Sequence, residues 1–269
     1  MKLTVVGMSG SCAGAGSSAS SYLLEHEADG RTWRIVLDLG SGAFGALQNY
    51  VDPFDIDALL LSHMHPDHSC DIAGLKVYLK YHPQKGRAVL GGGQRLVTFG
   101  PQDLVERTVS YCGFDSEAPG SDESAREVFD FRFLLNGVSF QVGPFAITPF
   151  EMNHPVSAFG FRISVPTLAG VKTFAYTGDT DLCANLDPLS AQADLFLAEA
   201  AYVKGRDDAI VDLHLTGAKA GQVAERNGVK KLILTHIPPW NDPAVTRAEA
   251  ADCFAGEIHL AQAGQVYEV

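Results

Sequence analysis

The stretch Leu59 to Gly74, LLLSHMHPDHSCDIAG, decides how this chain is read. The apolar run Asp57 to Ser62 (DALLLS) is short enough to be a buried strand, and Pro66 blocks its continuation as a sheet ladder or as the interior of a helix. His63, His65, Asp67 and His68 therefore fall on a loop at the carboxyl end of a strand. Imidazole nitrogen and carboxylate oxygen are ligands that Zn²⁺, Mn²⁺ and Fe²⁺ accept, and alternate residues of an extended turn can converge on one ion while the next pair faces a second. The chain has only nine histidines in 269 residues. Three of them inside one hexapeptide point to metal binding rather than to a polar surface.

Two ions need more ligands than one turn supplies, and three candidates follow further along. His154 comes after FAITPFEMN, Asp179 after TFAYTG and His236 after KKLILT. Each repeats the opening arrangement of an apolar strand, one or two small or polar residues, and then a ligand type.

Around these positions the chain reads as one domain over residues 1–269, long enough to bury a full core. Strands are expected at Lys2 to Val6, Ser21 to Leu24 and Trp33 to Leu39, and helices at Phe44 to Tyr50, Leu75 to Tyr81 and Pro101 to Cys112. A β-rich stretch from Phe129 to Val165 and a strand at Thr173 to Thr177 come next. Alternating helices and strands then run to the end: Leu186 to Gln192, Leu195 to Ala198, Gly217 to Asn227, Lys231 to Leu234, Val245 to Phe254, Glu257 to Ala261 and Gln265 to Val269. Two β-rich halves with helices outside predict an α/β fold, a four-layer αββα sandwich whose loop ends meet along one edge.

Composition narrows the function. The chain is 46% hydrophobic and 19% charged, as a globular protein is, with a net charge of -12. That balance disfavours a nucleic-acid binder, which needs a basic surface to displace counterions. The five cysteines are widely spaced without a CxxC pair, as expected of reduced thiols in a cytoplasm. The opening MKLTVVGMSGSC is too short in apolar residues for an export signal, and no run approaches a membrane span.

With the metal ligands in hand, the chain resembles the metallo-β-lactamase fold of metal-dependent hydrolases. HMHPDH matches the family's HxHxDH motif, and His154, Asp179 and His236 match its remaining ligand positions in order. The resemblance implies two divalent ions, with zinc expected and manganese or iron acceptable to the same ligands. It also implies that His63, His65 and His154 hold one ion, that Asp67, His68 and His236 hold the other, and that Asp179 bridges them. Asp38 in VLDLG resembles the family's buried Asp, which orients ligand histidines from behind.

Within the family, Leu197 to Trp240 is similar to the ribonuclease Z and phosphodiesterase branch, in which a Glu after a strand pairs with the His of an HLT-type motif. Glu199 and His214 match those positions. Asp179 stands where the main group of secreted β-lactamases has Cys, and too little chain follows His236 for the glutathione-binding domain of glyoxalase II. The arm by which ribonuclease Z grips tRNA is absent between His154 and Asp179. The whole chain looks like the small actinobacterial cyclic-nucleotide phosphodiesterases of this fold.

The resemblance thus implies a cytoplasmic phosphodiesterase in which a hydroxide bridging two ions attacks phosphorus. Glu199 orients His214 to protonate the leaving 3′ oxygen, and Asp67 helps to orient the nucleophile. The expected partner is a small phosphodiester such as 3′,5′-cyclic AMP; a homodimer is expected by analogy, a membrane is not. The alternatives are a ribonuclease Z-like endonuclease and a hydrolase of lactones or thioesters. Ser20, in the Gly/Ser turn from Ser9 to Ser21, and His82, in YHP after a helix, are candidates for substrate contact. The run Asp115 to Glu127 is either a solvated loop or a lid.

Overall fold

A computed structural model describes residues 1–118 and 120–269. Pro119, within the run read as a loop or lid, lies outside the described residues; the end of that run forms a one-turn helix.

The first sheet is built from β1 (Lys2–Ser9), β2 (Ser18–Ala19), β3 (Ser21–Ala28), β4 (Arg31–Leu37), β5 (Ala58–Leu60), β6 (Leu96–Gly100) and β7 (Phe129–Phe133). The second holds β8 (Phe140–Val142), β9 (Phe145–Glu151), β10 (Phe159–Thr167), β11 (Gly170–Tyr176), β12 (Leu195–Glu199), β13 (Lys231–Thr235) and β14 (Glu257–Leu260). The last strand, β15 (Val266–Glu268), returns to the first sheet and pairs antiparallel with β1, Lys2 opposite Glu268. Strand orders are β15-β1-β3-β4-β5-β6-β7, with β2 on β1, and β14-β13-β12-β11-β10-β9-β8.

The central strands β5, β12 and β13 bury both faces, which is why they read as continuous apolar runs, whereas β9 alternates buried and part-exposed residues. In β4, Ile35 and Leu37 enter the core between the sheets while Val36 points to the outer helices. In β12, Leu195 and Leu197 face the first sheet while Phe196 and Ala198 face helices on the far side. The outer layers are α1 (Ala43–Leu47), α2 (Pro66–Ser69), α3 (Ile72–Tyr81), α4 (Arg87–Leu90), α5 (Leu104–Tyr111) and α6 (Glu123–Arg126) on one side, and α7 (Leu186–Ser190), α8 (Gly217–Arg226) and α9 (Pro243–Ala251) on the other. The result is the four-layer αββα sandwich.

Three local expectations need correction. The strand β6 is absent from the sequence reading, because its five residues follow three glycines and carry little periodicity. Phe129 to Phe133 falls in a β-rich stretch that otherwise forms the second sheet, yet it pairs parallel with β6 in the first. The HMHPDH turn is not extended throughout: His65 precedes the single turn α2, and Pro66 takes its first position, where a missing N–H costs nothing.

Strand direction then positions the site. β4 and β5 run parallel, as do β11, β12 and β13, and β9 shares the direction of β11 because each is antiparallel to β10. Their carboxyl ends deliver Asp38, His63, His154, Asp179, Glu199 and His236 to one edge of the sandwich. Ligand sites of α/β sheets commonly lie at such an edge.

Candidate metal centre

Three imidazole nitrogens converge first. His63 Nε2 lies 3.0 Å from His65 Nδ1, and His154 Nε2 lies 3.2 Å from the same atom. A second group forms beside it: His68 Nε2 and His236 Nε2 are 3.1 Å apart, and Asp67 Oδ2 is 3.1 Å from His236 Nε2. Asp179 stands between the groups. Its Oδ1 is 3.1 Å from His68 Nε2, and its Oδ2 is 3.4 Å from His236 Nε2 and 3.8 Å from His63 Nε2.

These donors fit a pair of divalent cations. Ring nitrogens aimed at one another near 3 Å cannot all be hydrogen-bond donors, but that is the separation of neighbouring ligands around an ion bound at about 2.1 Å. Asp179 Oδ1 is buried without a hydrogen-bond partner. Asp38, Asp67, Asp179 and Glu199 place four buried carboxylates in one cluster, and buried charge of one sign is costly unless cations compensate it. Burial holds His63 well below the ordinary imidazole range, and holds His65 and His154 below it, so these rings stay neutral, as ligands must be. Burial also disfavours charge on His68, but Asp179 and Asp38 outweigh it and raise that ring well above its ordinary value. Burial opposes ionisation of Asp67, yet the His236 hydrogen bond and the nearby rings hold it below the carboxylate range.

The ligands are held from behind. Asp38, at φ 58°, accepts from Ser62 N–H at 2.7 Å, Ser62 O–H at 2.8 Å, Tyr176 O–H at 2.7 Å and His68 Nδ1–H at 2.8 Å. The last bond fixes the His68 tautomer with Nε2 toward the cluster, and the Tyr176 bond ties this support to the second sheet. Close backbone approach needs two glycines: a Cβ on Gly10 would lie 2.1 Å from His236 O, and one on Gly40 1.9 Å from Asp67 O.

Next to the two groups, Glu199 Oε1 accepts from His214 Nδ1–H at 2.8 Å and from Thr180 N–H at 3.0 Å, while Oε2 accepts from Ala201 N–H at 3.0 Å. His214 Nδ1 is 3.9 Å from Asp179 Oδ2, and the ring centroid is 5.6 Å from that of His154 and 5.4 Å from that of His236. Burial works against charging His214, but Glu199 prevails and the ring is pushed up to about 9. Glu199 therefore favours a proton on His214 beside the cluster.

Of the sequence candidates, His63, His65, Asp67, His68, His154, Asp179, His236, Asp38, Glu199 and His214 come together; two do not. Ser20 is fully buried, and its carbonyl accepts from Gly40 N–H, so it backs the loop beside Asp67 and is closed to a substrate. His82 is engaged elsewhere: Nδ1 accepts from Gln84 and Lys85 N–H, and the ring packs on Phe54 and Tyr78.

Sequence reasoning missed the residues that fasten the His214 loop. Asp181 accepts from Asp212 N–H at 3.0 Å, from Leu182 N–H at 2.7 Å and from Lys219. Asp212, at φ 60°, also accepts from Asn153 Nδ2 at 2.9 Å, and Leu213 O accepts from His154 Nδ1–H at 3.0 Å. The one available signal was the Asp two positions after Asp179, in GDTD, which reads as an ordinary turn residue.

Fold and site together define a metal-dependent hydrolase, and the comparisons agree. Residues 34–237 match the model of the beta-lactamase superfamily domain, and the chain belongs to that superfamily, in its metallo-hydrolase form. It is 37% identical to the uncharacterized protein Rv1339 of Mycobacterium tuberculosis over 272 residues, covering 100% of this chain and 92% of the relative. It is 30% identical to the probable metallo-hydrolase YhfI of Bacillus subtilis with full coverage of both. The crystal structure of YhfI superposes with a TM-score of 0.80 over 99% of each chain, at 27% identity. A ribonuclease Z of Halorubrum lacusprofundi is 26% identical over 311 residues, covering 100% of this chain and 97% of that enzyme. Membership implies divalent metal ions at the His and Asp cluster. Among the described residues no helix is long and apolar enough to cross a membrane.

Proposed function

We propose that the protein is a phosphodiesterase that hydrolyses small cyclic phosphodiesters, 3′,5′-cyclic AMP to 5′-AMP foremost among them. The observation that carries this reading is the placement of His214: held through Nδ1 by Glu199 and packed beside His154, His236 and Asp179, it leaves Nε2 free for a departing oxygen. A phosphodiester loses an alkoxide, a poor leaving group that gains from a positioned proton donor.

The roles divide among the chain's own residues. His63, His65 and His154 would hold one ion, Asp67, His68 and His236 the other, with Asp179 between. Two divalent ions, when bound, stabilise charge on the phosphoryl oxygens and lower the pKa of water from 15.7 to about 7. Asp67, on the rim of the second group, helps to orient the attacking water. Glu199 fixes the His214 tautomer and compensates the charge of its imidazolium. His214 gives its proton to the leaving 3′ oxygen.

Two observations favour a small substrate over RNA. The net charge is -12, and the chain between His154 and Asp179 is taken up by β10 and β11, which are joined by a tight turn at Leu168 and Ala169. The test is incubation of the zinc- or manganese-loaded protein with 3′,5′-cyclic AMP, precursor tRNA and a lactone panel, with Asp179→Ala as control. Conversion of cyclic AMP to 5′-AMP by the wild type alone is expected. Cleavage of tRNA or a lactone with cyclic AMP intact overturns the reading.

A further inference from the structure

Opposite the metal centre, at the amino-terminal ends of β4, β5 and β6, a cleft of about 470 Å³ is lined by Arg31, Arg34, Arg87 and Arg95. That volume is within the range of small-molecule sites. β4 spans seven residues between this edge and Asp38, so at a rise of about 3.3 Å per residue the two sites lie roughly 20 Å apart.

The four guanidinium groups are not equivalent. Arg31 pairs with Asp57, and Arg34 pairs with Glu25 at 3.1 Å. Arg87 and Arg95 bond only to backbone carbonyls, those of Gly93 and Arg126, and among the described residues no carboxylate pairs with either. Asp55 and Asp57 are the acidic residues of the lining, and Asp57 is already shared between Arg31 and Arg34 N–H. The cleft thus carries surplus positive charge in a protein that is otherwise strongly negative. Leu79, Leu96 and Val128 line its base, and Phe54 also lines it with a ring that is itself packed on Tyr78 and His82.

We propose that this cleft is a second ligand site, which binds a phosphomonoester carrying a planar ring. Guanidinium forks match phosphate oxygens in pairs, and Arg87 and Arg95 have donors free to do so. The Leu79, Leu96 and Val128 side chains offer the ring an apolar surface. The charge pattern also accounts for selectivity, since a concave basic patch concentrates anions that the rest of the surface repels. The anion chemistry stands on the cleft alone; the choice of 5′-AMP as probe rests on the phosphodiesterase reading.

The test is calorimetric titration of the metal-loaded protein with 5′-AMP and with inorganic phosphate, on wild type and on Arg87→Gln/Arg95→Gln. Both substituted residues are at the surface, outside the metal centre, and the variant should keep its basal rate with cyclic AMP. Expected is a loss of one equivalent of 5′-AMP in the double variant, with binding at least tenfold weaker for phosphate than for 5′-AMP at the site lost. An Asp179→Ala arm assigns the other equivalent, because it should retain the arginine site. Equal stoichiometry in wild type and double variant overturns the proposal, as does a lost site that prefers inorganic phosphate. Absence of cyclic AMP hydrolysis with the arginine-dependent site intact would instead refute the phosphodiesterase reading alone.

Discussion

Glu199 holds His214 at 2.8 Å through Oε1 and Nδ1, and the same carboxylate oxygen accepts from Thr180 N–H, the residue after Asp179. One buried side chain therefore fixes His214 relative to the backbone that presents Asp179. Glu199→Gln keeps the shape but removes the charge. The expected result is a fall in kcat for cyclic AMP of about 10²-fold, the lower range for a positioned acid, with KM and bound metal nearly unchanged. Loss of metal in parallel with activity would give Glu199 a different role.

Asp38 acts one bond further back, through His68. Orienting partners of this kind are worth about 10–100-fold in metal affinity. Asp38→Asn should weaken metal binding by that factor, read by competition with a chromophoric chelator. Tyr176→Phe, which removes one of the four bonds that Asp38 accepts, should show a smaller loss of the same sign.

The His214 loop depends on Asp181, which bonds Asp212, Leu182 and Lys219. Asp181→Asn should lower kcat for cyclic AMP several-fold while the metal content stays at the wild-type value. The loss should shrink for an aryl phosphodiester, whose leaving group needs no proton. An equal loss on both substrates would mean a general structural defect.

Asp194 offers a stability test remote from the site. It accepts from Thr173 N–H at 2.8 Å and pairs with Lys172 and Lys230, and it titrates below its ordinary value of 3.8; burial opposes this, but the lysine and backbone hydrogen bonds outweigh it. A carboxyl depressed in the folded state adds stability above the unfolded pKa and loses it as pH falls through the folded one. Asp194→Asn should thus cost about 1 kcal/mol near neutral pH, and the gap should narrow progressively as pH falls below the ordinary carboxyl value of 3.8. Urea unfolding across that range reads it.

The candidate ligand cluster was legible because its members stand after apolar strands, and three of its histidines share one hexapeptide. The fold class followed from strands hydrophobic on both faces, such as Ile35 to Leu37. What stayed hidden depends on contacts between distant segments. Asp38 supports His68 only because its backbone turns left-handed and Tyr176 reaches it from the other sheet. Asp181 and Asp212 meet across a loop that no periodicity reports. The arginine cleft joins residues as far apart as Arg31 and Arg95, brought together because β4 and β6 begin at the same edge. His82 failed as a site residue because Phe54 and Tyr78 claim its ring.

Delivery of a proton by His214 to an alkoxide leaving group beside a two-metal cluster is what the proposed function requires. It is tested most directly by comparing wild type and His214→Ala on 3′,5′-cyclic AMP and on bis(4-nitrophenyl) phosphate, with metal content measured in both. Expected are a loss of about 10²–10⁴-fold on cyclic AMP, little change on the activated diester, and full metal occupancy. Equal losses on the two substrates at full occupancy, or undiminished cleavage of cyclic AMP by the variant, would contradict it.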